Sequence, residues 1–162
     1  MKTMIPLLCM FALLSCQKQL SSKQPGDKED QWLRSYCGID TLKAQNTEQV
    51  YGCTNTAYQM QVAIRDSFLL ITNVADYQQL VKGSCTPAID FDKYSLLIGK
   101  RQLQQGLQAI SYQLYYHCPE NYYEVRVKLQ QHMGMQAPNV TWHLLLPKAA
   151  SGQTVKVKLS VL

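Results

Sequence analysis

The clearest pattern in the chain is strict alternation of apolar and polar residues in its C-terminal half. From Gln108 to Cys118, the residues Ile110, Tyr112, Leu114, Tyr116 and Cys118 fall on one face; from Tyr123 to His132, Tyr123, Val125, Val127 and Leu129 do the same. A period of two marks a half-buried strand, and two such runs separated by Pro119–Tyr122 predict a hairpin. Joining the apolar sides predicts the pairs Cys118/Tyr123, Tyr116/Val125, Leu114/Val127 and Tyr112/Leu129, with His117 against Glu124 and Tyr115 against Arg126 outside. A slip of one residue would set Leu114 opposite Arg126 and is disfavoured. Thr154–Leu162 alternates as cleanly, with Val155, Val157, Leu159 and Val161 inward. Val140–Leu146 is almost wholly apolar, as a strand buried on both faces would be, and Pro147 ends it.

Upstream, Ser95–Leu103 and Ser67–Thr72 read as strands, and Tyr58, Met60, Val62 and Ile64 alternate as a further one. One helix stands out. Asn73 is a good N-cap, Val74, Tyr77, Leu80 and Val81 share a face, and Gly83 stops the run. Thr41–Tyr51 is polar and reads as a short helix or a loop. About six strands and one helix predict a mainly β (α+β) fold, an antiparallel β-sandwich or partly open barrel with one packed helix.

The amino terminus has a different character. Lys2 precedes an apolar run, Met4–Leu14, that ends in Leu13-Leu14-Ser15-Cys16. This resembles a bacterial lipoprotein signal with its lipobox, and implies cleavage before Cys16 and lipidation of that thiol. The run is shorter than the ~20 apolar residues of a membrane-spanning helix. Gln17–Gln31 has no apolar period and contains a Pro-Gly break, so it reads as a flexible tether with a reach of roughly 20 Å. The expected organisation is a signal peptide (1–15), a lipidated Cys and tether (16–31), and a single β-rich domain (32–162). Gln17 follows the lipidated Cys where an Asp would favour the inner membrane, so the expected location is the outer membrane of the cell envelope, held by the lipid.

Composition narrows the function classes. The net charge of +5 is modest, and Lys and Arg are scattered along the sequence without a basic cluster among aromatics, which argues against nucleic acid. Beyond Cys9 and Cys16, four cysteines remain: Cys37, Cys53, Cys85 and Cys118. An even number in an exported chain reads as two disulfides. Three connectivities exist, and moderate loop lengths favour Cys37–Cys53 with Cys85–Cys118. No CxxC spacing points to zinc.

Candidate chemistry is sparse. His117 and His132 lie at opposite ends of the expected hairpin and His143 on another strand, so all three read as surface histidines with no metal between them. No GxSxG elbow supports a hydrolase. Asp90 and Asp92 flank Phe91 without an EF-hand-type loop, and Asp90 reads as a backbone cap before a strand. The tyrosines around the hairpin turn are the strongest surface candidates. Tyr116 and Tyr123 belong to the core face, whereas Tyr115 and Tyr122, with His117 and Arg126, form a candidate recognition surface. Asp40-Thr41-Leu42 resembles a short bacterial glycosylation motif at Thr41.

The stretch Ile89-Asp90-Phe91-Asp92-Lys93-Tyr94-Ser95-Leu96-Leu97-Ile98-Gly99-Lys100 and the ending Leu144-Leu145-Leu146-Pro147-Lys148 resemble exported bacterial lipoproteins and the PrcB C-terminal domain family, over roughly residues 66–162. That family often carries a TGGY segment after the Gly-Lys strand; here Gln104-Gln105-Gly106-Leu107 stands in its place. The resemblance implies an accessory role beside a protease complex, with no catalytic residue. The expectation is therefore a non-enzymatic envelope lipoprotein, without cofactor, that binds a protein partner. The alternatives are an envelope protease inhibitor presenting the loops Gln104–Gly106 and Gly134–Asn139, and a module for a small molecule or glycan.

Overall fold

The computed structural model describes residues 38–65, 67–150 and 153–162. The expected leader, Cys16, the tether and Cys37 lie outside the described residues. The elements run β1 (Ile39–Leu42), α1 (Thr47–Tyr51), α2 (Thr56–Gln59), β2 (Met60–Val62), β3 (Phe68–Ile71), α3 (Val74–Leu80), β4 (Val81–Gly83), β5 (Tyr94–Gln102), β6 (Gly106–His117), β7 (Tyr122–His132), β8 (Asn139–Pro147) and β9 (Thr154–Val161). The fold is mainly β, with sheets packed face to face.

Its centre is a three-stranded sheet in the order β3-β5-β8. From Val140 to Leu146 every residue of β8 is buried. Because side chains alternate along a strand, the two faces of this sheet serve two cores. Leu97, Trp142, Leu144 and Leu146 meet Leu114, Tyr123, Val125, Val127 and Leu129 of a four-stranded sheet ordered β1-β6-β7-β9. Leu96, Ile98 and Leu145 point the other way and meet Met60, Val62, Tyr77, Val81 and Phe91 of the helices and the small β2-β4 pair. The third layer explains why even the polar members of the Val140–Leu146 run, Thr141 and His143, are buried. The expected packed helix, α3, flanks this second face.

The outer edge of β8 is closed by neighbouring groups. The Leu145 N–H donates to the Gln45 carbonyl at 2.7 Å, and the His143 N–H donates to the Tyr112 hydroxyl at 3.2 Å. The segment that supplies Gln45 is fixed by α1. Asn46 caps that helix, its side chain accepting from the Gln49 N–H while the Gln49 side chain accepts from the Asn46 N–H. Gly52, at φ 69°, ends it in the left-handed conformation that glycine favours.

The expected helix is present with Asn73 as its cap, the side chain accepting from the Asp76 N–H at 2.9 Å. The strand count differs. Nine strands are present among the described residues, and β1 and β4 are only four and three residues long, too short to leave a period in the sequence. Thr56–Gln59 is one helical turn, so the strand expected from Tyr58 begins at Met60.

The hairpin forms with the expected faces but in a register displaced by two. Tyr116 pairs with Tyr123, Leu114 with Val125, Tyr112 with Val127 and Ile110 with Leu129. A shift of two keeps every side chain on its own face, so hydrophobicity cannot discriminate against it. The turn decides. Cys118–Asn121 bends with Pro119 at its second position, the Asn121 N–H donates to the Cys118 carbonyl at 3.2 Å, and Asn121 takes φ 51°. A second difference is that β9 pairs with β7 in parallel, Val125 beside Val157 and Val127 beside Leu159. β8 intervenes in sequence but lies in the other sheet, so β7 and β9 run the same way.

Cys53 is joined to Cys85, with their Cα atoms 5.8 Å apart. This overturns the favoured Cys37–Cys53 and Cys85–Cys118 pairing. The antiparallel β2-β4 pair, with Met60 opposite Gly83, brings together the chain just before α2 and the chain just after β4. Loop lengths along the sequence carry no trace of that ladder. The sequence separation of 32 gives a stabilisation of about 4 kcal/mol in the chain-entropy picture. Cys118 is itself disulfide-bonded.

Two measurements follow from this packing. A methyl group on Gly99 would overlap the ring of Trp142, its register partner on β8. Gly99→Ala is expected to destabilise the fold by about 1–3 kcal/mol in urea unfolding, because the new methyl forces the indole out of its packed position. Peptide mapping without reduction is expected to return a Cys53–Cys85 peptide and neither Cys37–Cys53 nor Cys85–Cys118.

Candidate functional site

β6, β7 and β9 turn one set of alternate residues into the core and the other outward. Across β6 and β7 the outward pairs are Tyr115 with Glu124, His117 with Tyr122 and Gln113 with Arg126. Across β7 and β9 they are Glu124 with Lys156, Arg126 with Lys158 and Lys128 with Ser160. The contacts expected between His117 and Glu124 and between Tyr115 and Arg126 survive the register shift as diagonals. His117 Nε2 lies 3.6 Å from Glu124 Oε2, and the Arg126 guanidinium sits over the Tyr115 ring, 4.8 Å from its centroid.

Glu124 is the anchor of this face. It is 4% exposed although it points away from the core. Arg126 Nε donates to its Oε1 at 2.6 Å and Lys158 Nζ to its Oε2 at 3.0 Å. These donors, Lys158 first, hold its carboxyl below the usual carboxylate range. A second cluster surrounds Tyr122. The His117 ring stacks on it at 4.2 Å with an interplanar angle of 11°, and Lys156 Nζ lies 3.7 Å from its centroid. The structure thus brings Tyr115, Tyr122, His117 and Arg126 onto one continuous face.

It also adds three residues that reading along the chain did not single out. Lys128, Lys156 and Lys158 join Arg126, so this face carries four cations against one carboxylate, Glu124. The basic cluster among aromatics that is absent along the sequence is created by the β7-β9 pairing. The alternating Lys residues of β9 were the available signal, but their neighbour was not legible. Tyr116 and Tyr123 lie on the opposite face as expected, their rings 5.3 Å apart within the core. Thr41 is exposed in β1, opposite Tyr115.

The remaining candidates are structural in their geometry. The Asp90 carboxylate accepts from the Asp92 N–H at 3.1 Å and pairs with Lys93 at 3.1 Å, and the Lys93 hydrogen bond holds its carboxyl low. His132 packs its ring against Gly106 and Gly134 at the far end of the hairpin, where a Cβ on either glycine would strike it. Among the described residues no three His, Cys, Asp or Glu side chains lie together as a metal set.

His143 corrects the expectation of three surface histidines: it is 1% exposed, on β8 facing α1. Its Nε2 accepts from the Thr47 N–H at 3.2 Å and lies 2.6 Å from the Thr47 hydroxyl, while Nδ1 has no partner among the described residues. An accepting Nε2 requires a neutral ring, and burial drives its pKa down to about 4. No family model, no curated protein and no solved structure matches the chain.

The His143 ring makes stability pH-dependent. Its folded pKa, about 4, lies below its ordinary 6.5, so the unfolded chain binds the extra proton between those values. Stability is complete above pH ~6.5 and falls as pH drops toward ~4, by about 3 kcal/mol at most. Urea midpoints measured from pH 7.5 to 4.5 are expected to show that decline in the parent chain and to lose most of it in His143→Gln.

Proposed function

We propose that this chain is an exported, lipid-anchored accessory module of the cell envelope that holds a protein partner on the outer face of its four-stranded sheet and performs no chemistry of its own. The observation that carries the reading is the cationic and aromatic face around Glu124. Tyr and Arg are over-represented where binding energy is concentrated, and here both are held in place by stacking and ion pairing before any partner arrives. The four-to-one excess of cations selects an acidic surface. The lipobox at Cys16 and the tether after it supply the address, and place the domain close to a membrane without burying it. The resemblance to the PrcB C-terminal domain family, which rests on its residues alone, suggests the same kind of accessory role.

One observation favours protease inhibition as a second reading. At the far end of the hairpin the β5-β6 turn and the β7-β8 loop lie side by side. The Leu103 N–H donates to the Pro138 carbonyl at 2.9 Å, and the Gln131 side chain accepts from the N–H groups of both Gln104 and Gln105. Met133 and Met135 are fully exposed beside them. Two braced loops with apolar tips are a shape that an inhibitor presents.

Cross-linking pull-down from envelopes separates these readings. Capture of a defined partner by the parent chain is expected to fall tenfold or more with Tyr115→Ala/Tyr122→Ala, and with Arg126→Glu. Capture that neither variant changes rules out the outer face as the binding surface. A captured protease whose activity falls, and recovers when Met133 and Met135 are changed to Ser, makes the loops the functional site instead.

A further inference from the structure

β9 is an open edge. It pairs with β7 on one side, and among the described residues no strand pairs with it on the other. The Leu162 N–H donates to the Leu129 carbonyl at 2.9 Å and the Leu162 carbonyl accepts from the Gln131 N–H at 2.8 Å, so both groups of Leu162 face β7. In a strand paired in parallel, successive residues turn these groups to alternate sides. Val155, Val157, Leu159 and Val161 therefore aim their N–H and C=O groups at the vacant side. The edge of β8 has such groups too, and there Gln45 and Tyr112 take them up.

A groove of about 420 Å³ runs beside this edge, between the two sheets. Its walls include Phe68, Trp142, Val157, Leu159 and Val161. Leu159 and Val161, expected inward from their period, remain 36% and 38% exposed, and Phe68 is 41% exposed. The apolar set of β9 thus faces a trough that the opposite sheet does not fill. On the other side of the same strand Lys156 and Lys158 are exposed.

We infer that β9 accepts an extended segment of a partner protein as a fifth strand, whose apolar side chains enter the groove beside Phe68 and Trp142 and whose alternate acidic side chains meet Lys156 and Lys158. This rests on the protein-binding reading above and states how the partner is held. Strand addition supplies affinity through main-chain hydrogen bonds and specificity through alternate side chains. β9 is eight residues long and contains no Pro, so its whole length can pair. A second copy of the chain is the poorer occupant. Two β9 strands pairing edge to edge would bring the lysines of one copy against those of the other, and like charges across strands are repulsive. The lysines thus oppose self-pairing while attracting an acidic strand.

The test uses the full chain in detergent and a fluorescent peptide of alternating Glu and Val. Leu159→Pro removes an N–H aimed at the vacant side and leaves the donors to β7 in place. Binding by anisotropy is expected to weaken at least tenfold in that variant. In the parent chain the peptide is expected to slow amide exchange at Val155, Val157, Leu159 and Val161. Lys156→Glu covers the event that the proline variant fails to fold. It is expected to lose the Glu peptide and gain a peptide with Lys in place of Glu. No binding, or binding indifferent to these changes with protection elsewhere, overturns strand addition. A concentration-dependent dimer abolished by Leu159→Pro overturns it as well, by naming a second copy as the occupant. An envelope partner captured through Tyr115 and Tyr122 yet unaffected by Leu159→Pro overturns strand addition and leaves the outer-face reading standing. A peptide held at β9 with no partner captured through the outer face does the reverse.

Discussion

The β5-β8 pair is the constraint on which the rest of the molecule depends. Nine residues of each strand pair in one unbroken antiparallel ladder, from Tyr94 with Pro147 to Gln102 with Asn139. Both faces of that ladder are largely apolar, so each must be covered, and among the described residues the four-stranded sheet and the helical layer bury their core residues against it. At Gly99 the ladder also admits the Trp142 ring, whose centroid lies 6.4 Å from that of Phe68 in the same sheet. Burial of this kind is the main favourable term in folding.

A central sheet covered on both faces still has edges, and the molecule treats them differently. Along β8 the backbone donors are taken by Gln45 and Tyr112, and the same region holds His143 neutral against Thr47. These polar groups are buried and satisfied by one another, with the exception of Nδ1 of His143. Such a network is costly to leave half-made, and it ties α1, β6 and β8 into one arrangement. The edge at β9 carries lysines instead. Among the described residues that edge is unpaired, and charge along an edge strand opposes edge-to-edge self-association.

The same crossover that leaves β9 at the edge assembles the proposed binding face. With β8 in the other sheet, β9 returns beside β7 and lays its lysines next to Arg126 and Lys128. Glu124 would be a buried, unpaired carboxylate without Arg126 and Lys158, and those two cations would be freer to move without it. One topological step therefore produces the charge, its rigidity and the adjacent groove together.

Much of this was legible along the chain. Periods of two identified β6, β7 and β9, Ser95–Leu103 read as the strand that became β5, the mostly apolar run Val140–Leu146 identified β8 as doubly buried, and the Asn73 cap identified α3. Alternation alone divided Tyr115 and Tyr122 from Tyr116 and Tyr123. These features are local, set by the geometry of a strand or of a helix end. Four others were not legible. A register shift of two costs no hydrophobic contact, so the turn at Cys118–Asn121 had to choose it. A strand's period is the same whether its neighbour is parallel or antiparallel, so β9 could be placed beside β7 only by the three-dimensional path of β8. The Cys53–Cys85 bond depends on a ladder of three-residue strands. His143 sits in a run where every residue is buried, so its role came from meeting Thr47. The sequence by itself determined which residues form strands and which side of each strand is apolar; only the tertiary structure decided which strands are neighbours, because pairing partners are chosen by contacts between residues far apart in the chain.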